Sequence, residues 1–205
     1  MIPHRIHQLW LGPRPVPTKW CDQWRAMHPD WEYILWRDSD VAALGLANQA
    51  TYDRYARLGI WYGAADVARV EILFRFGGVY LDADSEPLRP WDDAPFMASG
   101  FFAAYEYRDD RPGRIANGVI GAEAQHPILA TYIDMIAKLP SIDPPWDTVG
   151  GTALTAAVAA HPERTDVAIL PMATFYPRHY TGMVPDDRVE PWAVQHWAST
   201  VGGYE

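Results

Sequence analysis

Apolar residues recur along the first third of the chain with spacings that alternate between those of strands and those of helices. Residues 5–11 form a short extended run that stops at a Gly-Pro turn, and residues 33–36 form a second run. Helical spacing appears in Thr18–Met27, with Thr18 as the expected cap, and again in residues 38–58. The order strand, helix, strand, helix predicts an α/β fold.

The most regular periodicity lies in the middle of the chain, just before a short apolar run. Residues 62–76 have helical spacing and end at two glycines, after which residues 79–82 are expected to form a strand. Later strands and helices are expected over residues 101–105, 119–122, 128–138 and 152–160. Strands that alternate with helices favour an α/β sheet with helical crossovers.

Composition narrows the functional classes. With 205 residues, 49% of them hydrophobic and 21% charged, the chain has the size and apolar content of one folded domain spanning residues 1–205. The formal net charge is -9, and lysine occurs only at positions 19 and 138. This charge argues against nucleic acid as a partner, because binding to phosphate backbones needs clustered basic residues. The single cysteine, Cys21, can form no internal disulfide.

The distribution of apolar residues also bears on location. No stretch reaches the length of a transmembrane helix, and the first residues lack the apolar core of a signal peptide. We therefore expect a cytoplasmic protein without a transmembrane segment. Peripheral contact with a membrane is compatible with this expectation. The last thirty-five residues are rich in proline, and we expect them to wrap the surface as loops.

Two carboxylates follow the central strand. Asp82 and Asp84 are two residues apart, so on an ideal strand they would share one face. Hard cations such as Mg²⁺ and Mn²⁺ prefer oxygen ligands, commonly one or two carboxylates together with phosphate oxygens. A cation held there would neutralise charge on a nucleoside-diphosphate leaving group. The alternative is a solvated strand end, because an isolated pair of this kind is common.

A second charged pair lies on the preceding helix. Asp66 and Arg69 are three residues apart and therefore face the same side of that helix. The simplest role for such a pair is an ion pair on the helix surface.

Three ordered segments then resemble one enzyme family. Residues 64–84 look like the signature of the DXD-containing glycosyltransferases of family 32, which are similar to the catalytic domain of the large clostridial glucosylating toxins. Residues 2–12 and 31–36 extend the match over about the first ninety residues. The resemblance implies a GT-A-like nucleotide-binding fold, in which helices flank a mixed, mostly parallel central sheet. It also implies transfer of a hexose, with retention, from a UDP- or GDP-hexose to a glycan or glycolipid acceptor.

The resemblance assigns donor-binding roles to several positions. Leu9 and Trp10 would lie at the nucleotide base, although Trp10 could equally be a core residue. Asp66 and Arg69 would contact the transferred sugar, and Tyr80 would approach the phosphate. Arg69 is thereby counted among the catalytic residues.

The resemblance also implies a Mn²⁺ or Mg²⁺ site. Asp84 would be the direct metal ligand, and Asp82 would contact the ribose, the sugar or the metal shell, so both are assigned as catalytic. Asn117 lies in a thinner match and is a candidate donor contact. His196 is a candidate metal ligand in a segment where Gln195 replaces a histidine of the family, and a surface histidine is the alternative.

Two other functions fit parts of the sequence. A phosphatase of the haloacid-dehalogenase type also places two aspartates after a strand, but it needs a downstream lysine, and only Lys138 follows. A non-catalytic carbohydrate-binding module would explain the ten tryptophans and eleven tyrosines. For a transferase, we expect residues 1–125 to bind the donor and residues 126–205 to form the acceptor side.

Overall fold

Two sheets organise the chain. The computed structural model describes residues 1–107, 112–139, 141, 143–185 and 189–198. Within these residues, six strands form a central sheet and two further strands form a small one. The strands are β1 (Arg5–Leu9), β2 (Glu32–Trp36), β3 (Gly78–Leu81), β4 (Ser85–Pro87), β5 (Phe101–Tyr105), β6 (Ile115–Ala122), β7 (Val167–Leu170) and β8 (Ala193–Gln195). The helices are α1 (Thr18–Met27), α2 (Asp38–Leu44), α3 (Gln49–Arg57), α4 (Trp61–Phe76), α5 (Pro127–Ala137), α6 (Pro145–Thr148) and α7 (Gly151–Ala159).

The central sheet is mixed. Its strand order is β2-β1-β3-β6-β5-β7. The pairs β1–β2, β1–β3 and β5–β7 are parallel, whereas β6 runs antiparallel to both of its neighbours. The predicted fold class, a mixed and mostly parallel sheet flanked by helices, is confirmed.

Helix α4 is the central helix of one side of the sheet. It packs against α3 and α5, and its buried residues follow one another from Asp66 to Leu73. A helix buried on most of its circumference is typical of a core element. The alternative of a surface ion pair for Asp66 and Arg69 does not hold, because the two residues pair with each other in a buried position. Helix α4 carries these two charged groups into the interior beside β3.

Several local expectations need correction. Thr18 is the first helical residue and makes no capping hydrogen bond. The helical region over residues 38–58 is interrupted at Gly45, whose positive φ of 60° ends α2. The described part of the C-terminal segment does not lie entirely on the surface, because Phe175, Tyr176 and Ala193 are buried in the core. Aromatic burial thus outweighs its proline content.

Histidine 7 joins β1, β2 and the end of α4. Its Nε2 donates a hydrogen bond to the carbonyl oxygen of Gly77 (2.9 Å), and its Nδ1 accepts one from the indole N–H of Trp36 (3.0 Å). The side chain is fully buried. Burial disfavours the charged imidazolium and lowers the pKa of His7 to about 4. The neutral ring is therefore the form that these two hydrogen bonds require.

We predict a loss of stability through His7 between pH 7 and pH 4. An unfolded imidazole has a pKa of 6.5, so the unfolded chain gains a proton in this interval that the folded chain refuses. The contribution of His7 is complete above pH 6.5 and falls by about 3 kcal/mol as the pH approaches 4. Denaturant titrations of wild type and His7→Gln across this range measure the difference.

The exposed His4 supplies the matched control. His4→Gln should retain the wild-type pH dependence of the free energy of unfolding, whereas His7→Gln should flatten it. Identical slopes for wild type and His7→Gln would contradict the assignment of a depressed pKa to His7.

Candidate active site

Residues 82–84 form an acidic turn directly after β3. The position of this turn depends on the close approach of β3 to β1. Gly77 and Gly78 have φ values of 61° and 104°. A Cβ at Gly78 would lie 2.6 Å from the carbonyl oxygen of Arg5, so glycine permits β3 to pass beside β1. The strand ends at Leu81, and Asp82 follows at the edge of the sheet. In the sequence the two glycines mark only the end of the helix. In the structure they also determine where the acidic residues lie.

A cleft of about 640 Å³ opens at this edge. One wall comes from the end of β1, another from α4 and a third from the acidic turn. Its lining includes Asp84, a predicted metal ligand, and every donor-binding residue predicted from the sequence, namely Leu9, Trp10, Asp66, Arg69, Tyr80, Asp82 and Asn117. The cleft therefore brings together residues from four separate parts of the chain.

A buried arginine organises the floor of the cleft. The guanidinium of Arg69 lies 2.9 Å from Asp66 Oδ1 and 3.2 Å from Asp82 Oδ1, and it donates to the backbone oxygen of Asn117 at 2.6 Å. The side-chain amide of Asn117 donates to Asp66 (2.7 Å), and the hydroxyl of Tyr80 donates to Asp82 Oδ1 (2.8 Å). Each of these five residues is thus fixed by at least one other.

The charges in this group follow from burial and pairing. Burial raises the pKa of Asp66 to about 6, although Arg69 beside it acts in the opposite direction. For Arg69, burial lowers the pKa, but the nearby acidic groups, led by Asp82, outweigh burial and the net shift is upward. The guanidinium consequently stays charged, and it is the fixed positive charge of the cleft floor.

Asp84 is held by the C-terminal segment. Its Oδ1 accepts a hydrogen bond from the side-chain amide of Gln195, and its Oδ2 accepts one from the backbone N–H of Ala198, both at 2.6 Å. The intervening Trp197 has a positive φ of 55°, an unusual conformation for a residue with a side chain. Burial, followed by repulsion from Asp82, raises the pKa of Asp84 to about 6. Asp84 thus links the acidic turn to the last described strand.

The imidazole of His196 points elsewhere. Its Nε2 lies 2.7 Å from Glu86 Oε2, and its ring stacks on Trp20 with centroids 4.9 Å apart. Only its backbone N–H meets the acidic turn, donating to the carbonyl oxygen of Asp84. Among the residues that the structure describes, no group of three His, Cys, Asp or Glu side chains is arranged as a metal cage. Ligation by His196 stays a prediction that requires its ring to leave Glu86.

Trp10 has two roles in the structure. Its indole N–H donates to the carbonyl oxygen of Arg14 (2.7 Å), and its ring packs against Cys21 and Ala83. It is 8% exposed and still lines the cleft. The ring is therefore part of the core, as the alternative for Trp10 expected, and it also forms a wall of the cleft. Stacking on a base stays a prediction.

One residue beneath the acidic turn and two on the rim of the cleft were missed from the sequence. Gln8 supports the acidic turn, because its amide donates to the backbone oxygen of Asp82 (3.1 Å) while its Oε1 accepts from Tyr33. Tyr62 and Trp146 are exposed rings on the rim, with centroids 6.5 Å apart. Gln8 could have been found as a polar residue within an apolar strand. Trp146 lies more than sixty residues beyond the acidic turn, and no local pattern marks it.

Comparison with known proteins agrees with this geometry. Residues 18–99 match a family model described as the glycosyltransferase sugar-binding region containing DXD motif. Inositol phosphoceramide mannosyltransferase 3 of Schizosaccharomyces pombe is 32% identical over 143 residues. The aligned part covers 68% of this chain and 37% of that protein, so the chain spans little more than a third of that relative's length.

Solved structures share the fold at low identity. PaToxG glycosyltransferase superimposes with a TM-score of 0.67 at 16% identity, covering 78% of this chain and 69% of that one. The UDP-bound glycosyltransferase domain from the YGT toxin has a TM-score of 0.58 at 12% identity, covering 82% and 79% of the two chains.

The sheet, its helices and the cleft at the end of β3 define a glycosyltransferase fold of the GT-A class. Within that class, the chain carries the DXD-containing sugar-binding region over residues 18–99. The family resemblance is confirmed, and the toxin glycosyltransferase domains share the fold of this chain. The predicted enzyme class agrees with both comparisons.

We predict that Arg69→Ala lowers the free energy of unfolding by about 3–5 kcal/mol, because it leaves the carboxylates of Asp66 and Asp82 without their buried counter-charge. Arg25→Ala is the control. Arg25 forms an exposed ion pair with Asp22, and its loss should cost about 1 kcal/mol or less. Urea unfolding of both variants makes the comparison, and equal costs would show that the buried network contributes little.

Proposed function

We propose that the chain transfers a hexose from a nucleotide sugar to a hydroxyl of a glycan or lipid-linked acceptor, with a divalent cation and with retention of configuration. The observation that carries this proposal is the cleft in which a buried, fixed guanidinium stands beside the carboxylates of the acidic turn. A nucleotide sugar has a base, a diphosphate and hydroxyls, and the cleft offers aromatic walls, positive charge and hydrogen-bond acceptors for them.

Each part of the donor has a candidate partner. Leu9 and Trp10 form the wall at the end of β1 for the base. Asp66 and Arg69 would bind the hydroxyls of the sugar. The hydroxyl of Tyr80 donates to Asp82. The expected contact of Tyr80 with the phosphate would therefore use the edge of its ring, or its hydroxyl would have to leave Asp82 and donate to the phosphate.

The carboxylate oxygens of the acidic turn are the kind of ligand that a hard cation prefers. Asp82 is partly exposed, and its Oδ2 has no hydrogen-bond partner within the described residues. Asp84 uses one acceptor position on each oxygen and retains lone pairs for a ligand bond. We propose that Asp84 and Asp82 hold Mn²⁺ or Mg²⁺, with His196 assisting. When bound, the cation would neutralise charge on the leaving diphosphate.

The relatives suggest the substrates. The fission-yeast relative is named as an inositol phosphoceramide mannosyltransferase, and the toxin domain is described as UDP-bound. We therefore propose GDP- or UDP-hexose as donor and a glycolipid headgroup as acceptor. Residues 1–125 would bind the donor, and residues 126–205 would form the acceptor side.

Such an acceptor implies work at a membrane surface. None of the helices in the described part of the chain combines the length and apolarity needed to cross a bilayer. We propose a cytoplasmic location with peripheral membrane contact.

The phosphatase alternative receives less support. That chemistry places a lysine beside the aspartates. Lys138 instead lies on the surface at the end of α5, where it pairs with Asp134, and it is not part of the cleft lining.

The proposed activity is tested by incubating the protein with a panel of GDP- and UDP-hexoses. We expect release of the nucleoside diphosphate that depends on added Mn²⁺ and stops with a chelator. Asp84→Asn should reduce this release at least about a hundredfold, because it removes the charge of the proposed ligand. Asp22→Asn, at an exposed position on α1, should match wild type. Orthophosphate release from phosphomonoesters without any use of nucleotide sugars would favour the phosphatase.

The role of His196 requires its own experiment. If His196 ligates the cation, His196→Ala should weaken Mn²⁺ binding about tenfold in isothermal titration. If it only bridges Glu86 and Trp20, Mn²⁺ affinity should be unchanged and the melting temperature should fall. The second result would remove His196 from the metal site while leaving Asp84 in place.

A further inference from the structure

A second, smaller pocket adjoins the cleft on the far side of Asp82. It has a volume of about 60 Å³, enough for about two waters or one hydroxymethyl group. Asp82 and Asn117 line both the cleft and this pocket, which places the two spaces next to each other. Whatever occupies the pocket is therefore a neighbour of whatever occupies the cleft.

The two oxygens of Asp82 are used differently. Oδ1 accepts the hydroxyl of Tyr80 and pairs with Arg69, both of which line the cleft. Oδ2 lies on the side of Gly118, because a Cβ built at Gly118 would come within 2.8 Å of it. Gly118 lines the pocket. Oδ2 is thus the Asp82 oxygen on the side of the pocket, and if one of its lone pairs ligates the proposed cation, the other can still accept a hydrogen bond from a group in the pocket.

Other polar oxygens border the same space. The amide of Gln195 is oriented by donating its N–H to Asp84, which can only accept, so its Oε1 is left buried without a partner. The hydroxyl of Tyr176 is also buried, and the backbone of Val119 approaches it without completing a hydrogen bond of normal geometry in the described part of the chain. Both residues line the pocket. Buried polar atoms of this kind are costly unless a ligand or water satisfies them.

Polar groups that accept hydrogen bonds therefore border the pocket together with the apolar side chains of Ala116 and Trp197. Asp82 and Gln195 offer oxygen atoms, and a hydroxyl is a neutral group that can donate to them. The glycine at 118 keeps the space open, since its Cβ would also lie 3.3 Å from the hydroxyl of Tyr176.

We propose that this pocket binds the acceptor hydroxyl that attacks the donor sugar, with Asp82 Oδ2 and the Tyr176 hydroxyl as its partners. The proposal rests on the proposed glycosyl transfer. It identifies the acceptor group as a hydroxyl on a hydroxymethyl or ring carbon, because the pocket is too small for a larger group. The acceptor oxygen forms a bond to the anomeric carbon as the bond from that carbon to the phosphate oxygen breaks. The phosphate oxygen keeps the electron pair, and the hydroxyl proton leaves with the released diphosphate.

The test uses glycerol as the acceptor and the nucleotide sugar that wild type consumes with Mn²⁺. Glycerol and water then compete, and the ratio of hexosyl glycerol to free hexose measures how well an alcohol is bound. Tyr176→Phe removes one hydroxyl and keeps the ring. We expect it to lower this ratio at least about fivefold and to raise the KM for glycerol.

Two further variants complete the design. Gly118→Ala places a methyl group in the pocket and should lower the ratio similarly. Tyr105→Phe is the matched control, because Tyr105 is exposed on β5, and its ratio should equal that of wild type. Melting temperatures confirm that each variant is folded.

The possible failures are distinct. An unchanged ratio in Tyr176→Phe, or a wild type that releases diphosphate yet forms only free hexose in glycerol, would overturn the pocket assignment and leave the proposed transferase intact. Absence of diphosphate release by wild type with every nucleotide sugar would overturn the proposed function and the pocket assignment together.

Discussion

The ion pairing of Arg69 inside the protein is the interaction on which the rest of the site depends. A guanidinium without counter-charges would be too costly to bury, and two carboxylates without it would repel each other. Asp66 comes from the same helix and Asp82 from the end of the neighbouring strand, so the pairing ties α4 to β3. The same three charges that stabilise this junction also form the floor of the cleft. The stability of this junction and the proposed binding of the donor would therefore depend on one set of side chains.

Much of the donor half follows from local sequence. Helix α4 and strand β3 have strong periodicity and glycine boundaries, and the acidic turn after them is short. Their predicted positions hold within a residue or so. The sequence suggests a surface ion pair for Asp66 and Arg69, because the spacing of residues along a helix indicates which face they share. It does not indicate what covers that face. Here α3, α5 and the sheet cover it, which is a tertiary fact.

The C-terminal half was harder to predict for the same reason. Strands β7 and β8 are only four and three residues long, and α6 has four. Elements so short have little periodicity. They form because they pair with segments that are distant in sequence, as β8 pairs with β4. Gln195 looked like a departure from a family pattern, yet its amide fits the carboxylate of Asp84 directly. No rule of local sequence links two residues 111 positions apart.

That separation has a consequence for the order in which the molecule matures on the ribosome. The central sheet from β1 to β6 can pair before the last described strand has been synthesised, whereas Asp84 acquires its amide and backbone donors only when β8 arrives. Closing so long a loop is slow compared with local pairing. The nascent chain would thus possess a largely assembled scaffold while its acidic turn is still loose, and catalytic competence would be the final property to appear during biosynthesis.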